Sequence, residues 1–346
     1  MCLTKVILHQ TDASLVPLFV CPRREVVIKQ HLNFALATLL QYLRSLSAVF
    51  QSPSCIMNEA DPSRSSYMVN CVFNGFSAYT AITLNVLTIN AIRKTSSLPT
   101  PLKTLLLSLA FSDLGVGLLV QPLQIASWVS QLNSTNYIPP KVLNTITFLF
   151  IYTSCFTVVA ISVDRFLAVH LHLRYQELVT PERVVVVVIS IWVLSAFLSS
   201  MWWWIIFDTT LRVYIIIGGH CFICGAPLYF RIYLAVRRHS NQIQVLQVQQ
   251  ELQNSEMTNV ARRRKSAVTT FYVYFVFLVC YLPIYCRVIV DMFSASRSRF
   301  KGGSYLYVQT LMLLNSSLNP VIYCWKMRHI RRTILETLRN LFPSQT

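Results

Sequence analysis

One carboxylate stands alone in a long uncharged stretch. Asp113, within Ser108-Leu-Ala-Phe-Ser-Asp113, is the single charge between Thr104 and Pro140. Asn85, Ser154 and the run Asn315-Ser316-Ser317-Leu318-Asn319-Pro320, followed by Tyr323, lie in three further apolar stretches. One carboxylate together with hydroxyl and amide oxygens is the donor set that a small hard cation prefers. Polar groups in hydrocarbon are costly, so those present mark function by default. No nucleophile–base arrangement and no metal-ligand pair at helical spacing stands out, so an enzyme is not expected. His220-Cys221 with Cys224 lies in an apolar run without another nearby histidine, and its cysteines read as small buried side chains.

The elements that must position these groups are membrane spans. Of the 346 residues, 54% are hydrophobic and 12% charged, about half the roughly 25% charge of soluble chains. So few charges suit a surface whose solvent is lipid. A hydrocarbon core of about 30 Å takes about 20 apolar residues in a helix. The stretches that meet or approach this are Ser65 to Ile92, Thr104 to Pro140, Val142 to Val163, Val184 to Phe207, Val213 to Phe230, Ser266 to Cys286 and Gly302 to Trp325. No series of short alternating strands argues for a barrel. The expected fold is an all-α membrane protein, a seven-transmembrane helix bundle with a short amphipathic cytoplasmic helix. It divides into an extracellular segment, 1–64, a transmembrane domain, 65–326, and a cytoplasmic helix and tail, 327–346.

Basic residues set the orientation. With the amino terminus outside, the inner connections hold Arg93, Lys94, Lys103, Arg174, Arg183, Arg237, Arg238 and the run Arg262-Arg263-Arg264-Lys265. Lys326, Arg328, Arg331 and Arg332 follow the last span, and the outer connections are poorer. The net charge of +17 therefore meets anionic lipid headgroups rather than nucleic acid. Asn133-Ser134-Thr135 is an N-glycosylation acceptor on the outer side. Trp202-Trp203-Trp204, at the outer end of the fourth span, reads as an interfacial belt. The Gln-rich connection from His239 to Val260 is expected to prolong its flanking helices into the cytoplasm, and Trp325 to Phe342 to lie as a basic amphipathic helix on the inner face. Residues 1–56 read as a disordered or misannotated extension, with Met57 as the start.

Asn85, Leu109-Ala110-x-x-Asp113, Asp164-Arg165-Phe166, Trp192, Cys280-Tyr281-Leu282-Pro283 and Asn319-Pro320-x-x-Tyr323 occur in order, on successive spans. Together they resemble a rhodopsin-like G-protein-coupled receptor from about Asn70 to Phe342. The resemblance implies a multi-pass plasma-membrane receptor that transmits binding of an extracellular ligand to a heterotrimeric G protein. It implies a sodium pocket at Asp113, Ser154, Asn315, Ser316 and Asn319. Arg165 is then the arginine that pairs with Asp164 at rest and meets the G protein when active. Tyr229 and Tyr323 are the tyrosines that support the open inner cavity, beside Asn319 and Pro320. Pro283, which lacks an N–H and clashes with the preceding turn, gives a hinge, with Phe277 and Tyr281 beneath and beside it.

Some positions depart from the family. Pro140 stands where the third span usually has a cysteine, so the usual disulfide cannot form; Cys55 or Cys71 with Cys286 is the substitute guess. The connection from Asp208 to Arg212 is short, Cys221 replaces the usual fifth-span proline, and Tyr281 replaces a tryptophan. These departures, with Leu-Arg-Tyr at 173–175, are similar to the melanocortin and cannabinoid neighbourhood. Yet the acidic residues for peptide and calcium are absent at Leu123, Pro140 and Asn144, and Thr147 stands at the aminergic aspartate. The expected ligand is therefore uncharged, lipid-like or small and apolar, in an outer pocket lined by Thr147, Phe148, Tyr285 or Tyr307. The competing reading is a transporter or ion channel that uses Asp113 and the seventh-span amides as a path.

Overall fold

The computed structural model describes residues 62–96, 98–133, 138–171, 174–205, 209–210, 212–223, 225, 227, 231, 254–293 and 303–341. Tyr229, Ser134, Thr135, Cys55, the first 56 residues and most of the third inner connection lie outside these.

The first helix runs Pro62–Lys94. The second begins at Thr100–Gly115, passes through one π-helical turn, Val116–Val120, and continues as Gln121–Asn133. The third is Pro140–His170 and the fourth Pro181–Trp204. Arg212–Ile223 is the described stretch of the fifth. The sixth is Asn254–Phe293, the seventh Gly303–Lys326, and Arg328–Leu341 follows as a final helix. Prolines at the first helical turn start the second, third and fourth, where a missing N–H costs nothing. Among the described residues, five helices are long and apolar enough on their own to cross a membrane. The seventh matches the fourth in length, 24 residues each, but carries the polar run 315–319.

The seventh helix packs between the first and the sixth, and the third between the second, fourth and sixth. Their shared core includes Leu106, Leu109, Val158, Ile161, Phe277 and Tyr323. The fourth is the least enclosed span: 22% of its most apolar window is buried, against 61% for the third. Val186, Val193 and Phe197 face outward, as a lipid-facing helix requires. The three tryptophans at its outer end divide. Trp203 and Trp204 are exposed like a belt, whereas Trp202 turns into the bundle.

The sixth helix already runs from Asn254, well before its apolar stretch, as the Gln-rich connection suggested. The final helix buries Ile330 and Ile334 and exposes Arg328, Arg331 and Arg332. It packs against the first helix. The Cys71–Cys286 pairing is not made, because Cys286 carries a free, exposed thiol whereas Cys71 is buried.

Candidate functional site

Asp113 is wholly buried. Its Oδ2 accepts a hydrogen bond from Asn319 Nδ2 at 2.8 Å, and Ser316 is its other polar neighbour. Asn85 Nδ2 reaches the Ser316 carbonyl at 2.9 Å, tying the first helix to the seventh at the same depth. Ser154 Oγ meets Ser112 Oγ at 3.0 Å, bringing in the third. Four buried oxygens here have no hydrogen-bond donor: Asp113 Oδ1, Asn85 Oδ1, Asn315 Oδ1 and Asn319 Oδ1. Buried acceptors are normally satisfied. A cluster of unsatisfied neutral oxygens around one carboxylate fits a hard cation, which asks for oxygen ligands and brings no competing acceptor. Asp113, Ser316 and Asn319 are thus drawn together; Asn315 is buried one turn before Asn319, and Ser154 reaches Ser112 rather than Asp113.

At the inner end of the third helix, Asp164 and Arg165 are both buried. Arg165 grips Asp164 Oδ2 through Nη2 and, at 2.9 Å, through Nε. Tyr175 donates its hydroxyl to Asp164 Oδ1 at 2.7 Å. Burial, then the Asp164 charge, raises the Tyr175 phenol above its ordinary value, so it remains a donor at neutral pH. Both carboxylate oxygens are occupied. Tyr175 lies on the short helix Tyr175–Leu178 of the second inner connection.

Between these sites and the outer face runs a chain of aromatic rings. Phe148 stacks on Trp202 at 5.2 Å and meets Tyr214 edge-on at 5.0 Å. Tyr285 follows, edge-on to Phe222 at 5.1 Å. Phe277, nearly two turns before Pro283, then stacks on Tyr281 at 4.4 Å. The cavity among Tyr152, Cys155, Tyr214, Phe222, Tyr281 and Tyr285 is about 20 Å³, room for about one water. The rings fill their own pocket. Thr147 is buried with its Oγ1 unpartnered. Tyr307 is 48% exposed and does not line the cavity. Asn133 closes the second helix.

Sequence reasoning passed over two features. Tyr285 donates to the Ile215 carbonyl at 2.5 Å, because Gly218 and Gly219 leave the fifth helix bare. A Cβ at Gly219 would stand 2.6 Å from the Tyr285 hydroxyl oxygen. The second is an amide seam in the outer half. Asn74 Nδ2 donates to Thr310 Oγ1 at 2.8 Å, and Thr310 to Asn70 Oδ1 at 2.6 Å. Gln121 Nε2 donates to Ser77 Oγ at 2.9 Å, Ser77 meets Ser317 at 3.0 Å, and Gln309 donates to Gln124 at 2.8 Å. The signal was available: buried amides in apolar spans are themselves unusual. The π turn at Val116–Val120 adds a residue to one helical turn and so rotates Gln121 and Gln124 relative to Asp113.

The fold is thus a helical membrane bundle with a carboxylate–amide cluster at its centre and a paired arginine at the end of the third helix. Residues 84–224 and 203–323 match the family described as 7 transmembrane receptor (rhodopsin family), and the chain belongs to that family. It is a multi-pass cell-surface receptor that couples an extracellular ligand to a G protein. The adenosine receptor A2b of Bos taurus is 26% identical over 77% of this chain and 88% of its own. The adenosine receptor A3 of Ovis aries is 25% identical over 75% and 86%. The octopamine receptor beta-1R of Drosophila melanogaster is 24% identical over 80% of this chain and 62% of its own length. The transporter and channel reading gains no support from these relatives, nor does the melanocortin and cannabinoid neighbourhood.

Proposed function

We propose that the receptor takes an uncharged ligand, lipid-like or small and apolar, at the outer end of the aromatic chain, with its amino terminus outside. The observation that carries this is the lining itself. The cavity residues are aromatic, aliphatic, glycine and cysteine without a carboxylate, and Thr147 offers a hydroxyl in the upper third helix. A cationic amine would be left without a counter-charge. Two relatives are named for adenosine, a nucleoside without charge that needs no counter-charge, unlike the amine in the third relative's name. The ligand acts by binding one of two pre-existing arrangements more tightly. About 5.5 kcal/mol of preference would take a 1:99 population to 99:1.

In this reading Asp113, Ser154, Asn315, Ser316 and Asn319 hold sodium in the resting arrangement, and the ion would supply the positive charge that the buried carboxylate lacks. Arg165, released from Asp164, meets the G protein, and Phe277, Tyr281 and Pro283 transmit the ligand's effect to the sixth helix. A panel of uncharged lipids, nucleosides and amines, tested for nucleotide exchange on several purified G proteins, addresses the ligand class. Activation by an uncharged compound is expected; activation by amines alone would contradict it. Asp113→Asn is expected to abolish sodium sensitivity of agonist binding, and unchanged sensitivity would remove the cation pocket.

A further inference from the structure

The inner end of the sixth helix carries Arg262-Arg263-Arg264-Lys265, and no acidic residue lies between Thr258 and Cys280. Arg165 is a cation as well, and its carboxylate partner is on its own helix. The Arg165–Asp164 pair lies within the third helix and does not itself bind this arm. A different contact is present there. Lys326, the last residue of the seventh helix, sets Nζ 3.5 Å from the Trp325 ring centroid and 4.0 Å from that of Tyr272. The two rings approach each other at 5.3 Å. Tyr272 belongs to the sixth helix, eleven residues before Pro283, which is about 16 Å along the axis. It therefore sits on the arm that swings from the proline. Lys326 and Trp325 follow the second proline-bearing motif, Asn319-Pro320-x-x-Tyr323.

We propose that Lys326, set in the angle between the Trp325 and Tyr272 rings, is the catch that holds the sixth helix against the seventh in the resting receptor. A cation over two aromatic faces is favourable without a carboxylate. It also senses both helices. Outward motion of the sixth removes Tyr272, and rotation of the seventh below Pro320 carries off Lys326 and Trp325. Either movement opens the catch, which makes the two movements cooperative. The proposal rests on the sixth helix being the moving arm of the receptor.

The test uses the full-length receptor in nanodiscs without ligand, spin-labelled at Lys94 and Phe271, both exposed. Lys326→Gln and Tyr272→Leu are expected to shift the distance distribution outward and to raise basal nucleotide exchange about fivefold. Tyr272→Phe, which keeps a ring, and Lys326→Arg, which keeps the cation, are expected to retain the resting distribution. Resting distributions in Lys326→Gln and Tyr272→Leu alike would overturn the catch, as would an outward shift in Tyr272→Phe equal to that in Tyr272→Leu. An outward shift without any change in exchange would support the catch and count against G-protein coupling, so the two failures are separable.

Discussion

The seam between the first, second and seventh helices and the packing among the third, fifth and sixth are held by different forces. The seam is amide to hydroxyl: Asn70, Asn74, Ser77, Gln121, Thr310 and Ser317 hydrogen-bond across helices. Each such bond fixes a register, because slipping one turn would strand several buried polar groups. The opposite side is aromatic rings against bare backbone, with Tyr285 lying on Gly218 and Gly219 and Tyr274 donating to the Phe222 carbonyl at 2.9 Å. Ring contacts are made both stacked and edge-on, and Pro283 lies in the sixth helix among them. The difference fits the proposed mechanism, with the seam as stator and the aromatic side as rotor. Asp113 lies between the two, bonded to the seventh helix while its neighbour Ser112 touches the third.

The comparison can be broken at several points. The largest effect is expected at Arg165, whose charge-assisted bonds are worth about 1.5–3 kcal/mol each. Arg165→Ala should lower ligand-stimulated exchange by roughly tenfold or more while surface expression, read by antibody on intact cells, stays measurable. On the rotor side, Gly219→Val would drive a side chain into Tyr285. Overpacking of this kind costs about 1–3 kcal/mol, and thermal unfolding in detergent should show it together with altered basal exchange. On the stator side, Asn74→Leu should cost about 0.6 kcal/mol, the average for one interhelical bond in a membrane. It should lower unfolding temperature slightly and leave basal exchange alone. An Asn74→Leu receptor with altered exchange but native stability would erase the distinction between the two regions.

Much of the fold was legible because span length and charge placement are one-dimensional signals. Asp113 and Asn319 could be read as one cluster because each is polar in an apolar run. What escaped depended on which face a side chain takes. Asn70, Asn74 and Gln121 sit in stretches that sequence alone cannot rotate, and the π turn before Gln121 changes that rotation again. Trp202 looked like its two neighbours, but helical geometry places adjacent residues about 100° apart, so only Trp202 enters the bundle. Tyr175 and Lys326 were invisible as partners. Their contacts, Asp164 and Tyr272, are brought to them by a connecting loop and a neighbouring helix rather than by spacing. Tyr307 was placed by depth alone, and depth does not say whether a ring faces a cavity.

The most direct test of a fixed seam and a mobile sixth helix is double electron–electron resonance on the receptor bound to nucleotide-free G protein. Labels at Lys94 and Phe271 report the sixth helix against the first, and labels at Lys94 and Leu119 report the second against the first; all three positions are exposed. The account predicts that G protein lengthens the first distance and leaves the second unchanged. Equal displacement of both pairs, or no displacement of Phe271 when G protein is bound, would contradict it.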